Sequence, residues 1–159
     1  MGPVSISVTG TSAATGCLSD EAIVTIPVAL LANRFYTIPP CRLFDTRETA
    51  GPTAAWPALG PFESRKFTVG TRCTLASSGV RALAVNQTVT GQTSSGELVI
   101  FRGDLPLMPN TASISYCVGK TRANNGILEL SRIGDGTFRV YNSSNGTVDF
   151  ILDVSGVFK

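Results

Sequence analysis

Asp149 and Asp153 are the residues best suited to chemistry, because paired carboxylates are the machinery of glycoside hydrolysis. Four apart on a strand they share a face, but the strand rise separates their Cα atoms by roughly 13 Å, too far for an acid and its ionised partner. Asp45-Thr46-Arg47 is the other distinctive charged cluster, a carboxylate two residues from a guanidinium and therefore on the same strand face. Its structural reading is preferred to a catalytic one: Asp45 accepts backbone N–H groups, and Arg47 satisfies carbonyls or pairs with Asp149 or Asp153. The chain has no histidine, which removes Ser-His and Cys-His nucleophile systems, and no G-x-S-x-G elbow or phosphate loop precedes a helix. Gly119-Lys120-Thr121 lacks the upstream glycine of a P-loop and reads as a turn. Neither an enzyme nor a cofactor is expected.

Binding chemistry is better represented. Trp56, Tyr36, Tyr116 and Tyr141 are aromatic groups of the kind that stack on sugar faces. Trp56 lies in Gly51-Pro52-Thr53-Ala54-Ala55-Trp56-Pro57, a loop-like stretch; the competing and preferred reading has it plugging a core edge. Asn86 and Asn124 read as hydrogen-bonding anchors. Asn86, Asn142 and Asn145 head glycan-acceptor patterns but read as strand and turn residues. Asp135 alone does not make a calcium site. Cys17, Cys41, Cys73 and Cys117 contain no C-x-x-C pair, so a metal site is not expected. Two disulfides suit them, with three pairings open; buried free thiols are the alternative.

Composition sets the class. The 159 residues suit one domain, or one domain and a short appended piece. Charged residues are 15% of the chain against roughly 25% in a typical soluble domain, so the surface is hydroxyl-rich and weakly charged. Its 13 basic and 11 acidic residues are scattered, with no Lys/Arg run to follow a phosphate backbone, and nucleic acid is not an expected partner. Membrane insertion is not expected either, since Thr25 and Pro27 interrupt the longest apolar stretch, Ile23 to Leu31. Met1-Gly2-Pro3 has neither the basic region nor the apolar core of a secretion signal.

Period-two alternation predicts strands at Val4 to Val8, Ile23 to Ile26, Lys66 to Val69, Val80 to Thr90 and Glu97 to Arg102. Further strands are predicted at Ser113 to Cys117, Ile127 to Ser131, Thr137 to Asn142 and Val148 to Phe158. In the last, Phe150, Leu152 and Val154 fill one face and Asp149, Ile151 and Asp153 the other. The turns Ser94-Ser95-Gly96, Gly134-Asp135-Gly136 and Ser143-Ser144-Asn145-Gly146 each predict a hairpin. Roughly ten short strands without a useful helix predict an all-β sandwich of jelly-roll type, with a small barrel or trefoil as the alternative. Residues 1–33 read as a separate hairpin before the 34–159 domain. A lone hairpin is unstable in water. It adds to the sheet of the main domain, completes a neighbouring subunit by strand addition, or is the remnant of a preceding immunoglobulin-like domain.

Several segments carry a family resemblance. They are Pro40-Cys41-Arg42-Leu43-Phe44-Asp45-Thr46-Arg47, Val85-Asn86-Gln87-Thr88-Val89-Thr90, Gly96-Glu97-Leu98-Val99-Ile100-Phe101 and Pro109-Asn110-Thr111-Ala112-Ser113, followed by Gly119-Lys120-Thr121-Arg122-Ala123-Asn124-Asn125 and Asp153-Val154-Ser155-Gly156-Val157-Phe158. In this order and spacing they resemble a C-terminal or repeated domain of secreted and cell-surface proteins of actinobacteria, myxobacteria and acidobacteria. The resemblance implies a secreted or cell-surface location and a modular architecture, and no particular activity. It also implies a Cys41–Cys73 disulfide, since similar cysteines accompany each other in that family. Cys17 and Cys117, which the resemblance does not support as a pair, are expected to form the second bridge. The leading functional expectation is thus a non-catalytic structural or interaction module of a bacterial surface protein or extracellular assembly, self-associating by β-strand addition. A carbohydrate-binding module using Trp56, with Tyr36 and Tyr116 as further ligand residues, is one alternative. A phage or virion structural domain is the other.

Overall fold

The computed structural model describes Ser5–Val8, Ala22–Thr25 and Asn33–Lys159, the last apart from residues 76–78. The chain divides into two units, Met1–Ala32 and Asn33–Lys159. In the first, β1 (Ser5–Val8) pairs antiparallel with β2 (Ala22–Thr25), from Ser5 opposite Thr25 to Val8 opposite Ala22.

The second unit contains eight strands: β3 (Phe35–Asp45), β4 (Ser64–Thr68), β5 (Ala82–Thr90), β6 (Gly96–Arg102), β7 (Ile114–Tyr116), β8 (Arg122–Glu129), β9 (Thr137–Asn142) and β10 (Asp149–Phe158). A single 3₁₀ turn, Arg72–Thr74, lies between β4 and β5. The strands form two four-stranded antiparallel sheets, ordered β3-β10-β5-β8 and β4-β9-β6-β7. Both sheets are open, so the sandwich expectation holds and the closed barrel or trefoil does not.

Alternation in the sequence becomes the division between core and surface. Phe150, Leu152 and Val154 of β10 are buried at 1% exposure or less, while Asp149 and Asp153 are only partly covered, as the period-two reading requires. Phe138 of β9 and its cross-strand partner Phe67 of β4 stack with centroids 5.3 Å apart, and from the facing sheet Phe44 of β3 meets them edge-on at 5.7 and 5.0 Å. Burying a side chain of this size contributes about 1.5–3 kcal/mol, so this cluster weighs more than any surface ion pair. Leu43, Leu59, Leu83, Leu98 and Leu130 complete the buried interior.

Three expectations are corrected. The turns at 94–96, 134–136 and 143–146 reverse the chain, yet none closes a hairpin: they lead from β5 to β6, β8 to β9 and β9 to β10, and each pair lies in opposite sheets. Within the sandwich only β6 and β7 are both consecutive and adjacent. The strand expected at 127–131 runs instead from Arg122 to Glu129, because β8 is an edge strand held by main-chain pairing to β5, Ala82 opposite Glu129 through Val89 opposite Arg122. Its side chains are exposed except Leu128, so it shows no apolar alternation. Strand β3, absent from the sequence-based strand list, tolerates Pro39 and Pro40 because it is an edge strand that slips register against β10 there, from Cys41 opposite Val154 to Thr37 opposite Gly156.

Cys41 on β3 is bridged to Cys73 in the 3₁₀ turn, with S–S 2.07 Å and Cα–Cα 5.8 Å, the pairing implied by the resemblance. Cys117 is exposed and has no bridge among the described residues. Cys17, and with it the second expected bridge, lies outside the described residues.

Candidate functional site

At the end of β3 the chain leaves the sheet, and its last residue, Asp45, is wholly buried. A buried carboxylate needs partners, and Asp45 has four donors. Arg47 gives its backbone N–H at 3.0 Å, Nε to Oδ1 at 2.9 Å and Nη2 to Oδ2 at 2.6 Å, and Arg42 gives Nη1 to Oδ2 at 3.1 Å. The Arg47 fork, against the opposing effect of burial, holds the Asp45 carboxyl below the usual carboxylate range. Arg42 also binds Asp153, with Nε to Oδ1 at 2.9 Å. The expected partners are corrected: Arg47 forms its ion pair with Asp45 and not with Asp149 or Asp153, and Arg42 takes Asp153. Asp149 accepts instead from Thr46 Oγ1 at 2.9 Å, and the same hydroxyl accepts the Phe150 N–H at 2.8 Å. The two carboxylates that opened the sequence argument are thus bound to different partners.

The backbone of Asp45 anchors the following loop. Its N–H donates to the Thr53 carbonyl at 2.8 Å, and its carbonyl accepts from Ala55 at 3.1 Å. Arg65 on β4 clamps the other side. Nη1 reaches the carbonyls of Ala55 at 3.1 Å and Pro57 at 2.5 Å, Nη2 reaches that of Ala58 at 3.1 Å, and Nε binds Glu63 at 2.7 Å. Trp56, between these fixed carbonyls, is 64% exposed. The core-edge reading of Trp56 is corrected: its loop is braced by main-chain and arginine bonds, so the ring is not needed as a plug. Arg65 escaped the sequence reading, since nothing in Ser64-Arg65-Lys66 distinguishes a carbonyl clamp from an exposed strand cation.

The other aromatic candidates do not join Trp56. Tyr36 is 48% exposed at the opposite end of β3, and the strand between Tyr36 and Asp45 spans roughly 30 Å. Tyr116 is 3% exposed, which corrects its assignment as a ligand residue. Its hydroxyl donates to Asn142 Oδ1 at 2.5 Å, and burial pushes the phenol above its usual range. Asn142, also fully buried, accepts in addition from the Ser144 N–H at 3.0 Å and Oγ at 2.9 Å, and donates to the Gly60 and Gly146 carbonyls at 2.8 Å each. This hub joins β7, β9 and two loops. Asn124 acts as an anchor, donating to the Ser113 carbonyl at 2.9 Å. Asn86 stands partly covered between Asp153 on β10 and Asn125 on β8.

Tyr141 belongs to a different feature. Leu98 and Ile100 of β6 join the core, so Val99 and Phe101 between them point to the outer face, where they are nevertheless buried. Phe101, Tyr141 and Arg139 line a cleft of about 550 Å³ with Leu105, Pro106, Leu107 and Met108 of the β6–β7 loop. Leu107 is 81% and Met108 47% exposed. Exposed apolar side chains thus lie beside this outer sheet face.

No family model and no curated protein matches the chain. Among solved structures it is similar to the Tobacco streak virus coat protein, in a C2 crystal form at 14% identity, covering 79% of this chain and 88% of that one with a TM-score of 0.40. The coat protein dimer is similar at 10% identity, covering 79% and 86%, with a TM-score of 0.38. The leading expectation, a self-associating module of a bacterial surface, is corrected here: these two solved chains are both Tobacco streak virus coat protein, and that reading is withdrawn.

Proposed function

We propose that the chain is a structural domain of the virion type, a non-catalytic subunit that packs against further copies of itself. The observation that carries this reading is the strand order. In chain order the eight strands of the second unit divide as first, eighth, third, sixth and second, seventh, fourth, fifth, which is the eight-stranded jelly roll. That architecture serves in capsids and lectins, where it presents loops and sheet faces to neighbours. The support is architectural, and fold alone leaves function open. The cleft at Leu107 and Met108 supplies the chemistry, an apolar contact surface on a chain otherwise rich in hydroxyls. Sedimentation and electron microscopy of the purified chain test it. Concentration-dependent assembly that is lost in Leu107→Asp and Met108→Asp supports the proposal. A monomer at millimolar concentration, or assembly indifferent to both substitutions, rejects it.

One observation favours a second reading, carbohydrate binding. Trp56 is presented on a loop fixed by Asp45 and Arg65, and preorganised aromatic rings are what sugar faces stack on. Glycan binding lost in Trp56→Ala with assembly retained would assign this role to the loop. Absence of binding across a glycan array removes it.

A further inference from the structure

At the other end of β3, Arg34 and Lys159 exchange both backbone hydrogen bonds, at 2.6 Å from the Arg34 N–H and 3.0 Å from the Lys159 N–H. They are therefore directly opposed, with their side chains on one face of the sheet. On the other flank of β10, Phe158 is opposite Ala82, so the register carries Arg81 alongside Lys159. Three cations stand in a row across three neighbouring strands, all exposed. None joins an ion pair among the described residues. The acid next to the row, Glu129 opposite Ala82, is engaged by Arg132 at 2.8 Å and by Arg102 at 3.6 Å. Like charges placed opposite each other weaken a sheet. An α-carboxylate on Lys159 would still leave the row net positive.

Lys159 also lines a cleft of about 360 Å³. Its other walls are mainly apolar: Tyr36, Ile38, Leu75, Val157 and the bridged Cys73, with Thr74 beside them. The volume lies within the range of small-molecule sites. Among the described residues no amide side chain lines it, so the walls suit hydrocarbon rather than a hydrogen-bonding ring. An apolar cleft lined by Lys159, with Arg34 and Arg81 opposite Lys159 on the neighbouring strands, is complementary to a molecule with one anionic end and a hydrocarbon body.

We propose that this cleft binds a small amphipathic anion, an aliphatic chain ending in a carboxylate, with the hydrocarbon against Ile38, Leu75 and Val157 and the head group on Lys159 and its flanking arginines. The site stands apart from the assembly reading and from the Trp56 loop. The test is calorimetric titration of the full chain with decanoate, alongside decanol as the uncharged probe. Saturable binding of decanoate is expected, weakened roughly tenfold or more in Lys159→Glu and in Arg34→Glu and progressively by salt. Decanol should bind at least as weakly as decanoate does to those variants, and Arg122→Glu, at the opposite end of β8 from Glu129, should bind decanoate as the unaltered chain does. A folding control accompanies it: Lys159→Gln relieves repulsion, so without decanoate its unfolding midpoint should not fall. No saturable binding, equal affinity for decanol, or charge reversals without effect in variants that remain folded would overturn the proposal.

Discussion

Arg47 forks onto Asp45 with two side-chain hydrogen bonds, of 2.9 and 2.6 Å, while itself remaining 48% exposed. The asymmetry decides what each residue contributes. Asp45 is wholly buried and depends on its donors, whereas Arg47 can turn to water if its partner is lost. Asp45→Asn should therefore destabilise by about 2 kcal/mol, the scale of a charged hydrogen bond and not of a doubly buried ion pair.

The same pair sets an acid limit. The folded pKa of Asp45 is depressed, so the unfolded chain takes up its proton first as pH falls. The stabilisation is complete above the unfolded value near 3.8 and is lost as pH drops through the lower folded value. Thermal unfolding between pH 6 and pH 2 (an experimental window set by that rule) should show the difference between the unaltered chain and Asp45→Asn shrinking only at the acid end. A difference that vanished while Asp45 was still ionised in both states would contradict this assignment.

Asn142 should be less replaceable than any exposed asparagine. Both its Oδ1 and its Nδ2 serve buried partners, and Asn142→Ala would leave carbonyls and hydroxyls unsatisfied at about 1–3 kcal/mol each. Tyr116→Phe removes only one donor and should cost about 1 kcal/mol. Chemical denaturation of the two variants checks the ranking.

The Cys41–Cys73 bridge closes a loop with a sequence separation of 32. Chain-entropy arguments give such a closure about 4 kcal/mol. The double variant Cys41→Ser, Cys73→Ser should unfold at correspondingly lower denaturant, and reductant should shift the unaltered chain while leaving the double variant in place.

Arg65→Lys keeps the charge but cannot fork to the carbonyls of Ala55, Pro57 and Ala58. Hydrogen exchange should quicken in residues 54–58, and Trp56 fluorescence should become more mobile. Trp56→Ala, by contrast, should alter stability by no more than about 0.5 kcal/mol, because the ring is exposed.

Much of the architecture is legible in the residues themselves. The alternation of β10 assigns Phe150, Leu152 and Val154 to the interior because burial of one sheet face must repeat every second residue. What alternation cannot report is the partner strand. Ser94-Ser95-Gly96 and Ser143-Ser144-Asn145-Gly146 have hairpin chemistry, yet the chain that turns there passes to the facing sheet, since a turn specifies reversal and not hydrogen-bonded adjacency. Edge strands are hidden for the opposite reason. The outer side chains of β8 meet solvent on both faces, so its membership in the sheet is written in main-chain pairing alone. At the candidate sites, residue type announced Asp45 and Trp56, but not whether they were held or free. Arg65 and Asn142 gain their roles only from carbonyls and hydroxyls brought close by folding, and the row of Arg34, Lys159 and Arg81 combines positions from both ends of the domain and its middle.

β10, the last of the described sandwich strands in chain order, occupies the inside of its sheet, bonded to β3 on one flank and β5 on the other. A ribosome releasing this chain from its N-terminus therefore holds back the piece on which both neighbours wait, and the sandwich can close only once synthesis has reached residues 149–158. Nascent chains must carry uncovered apolar strands until that moment, so a stop before residue 149 would leave β3 and β5 without the strand that joins them, whatever the quality of the interior already synthesised.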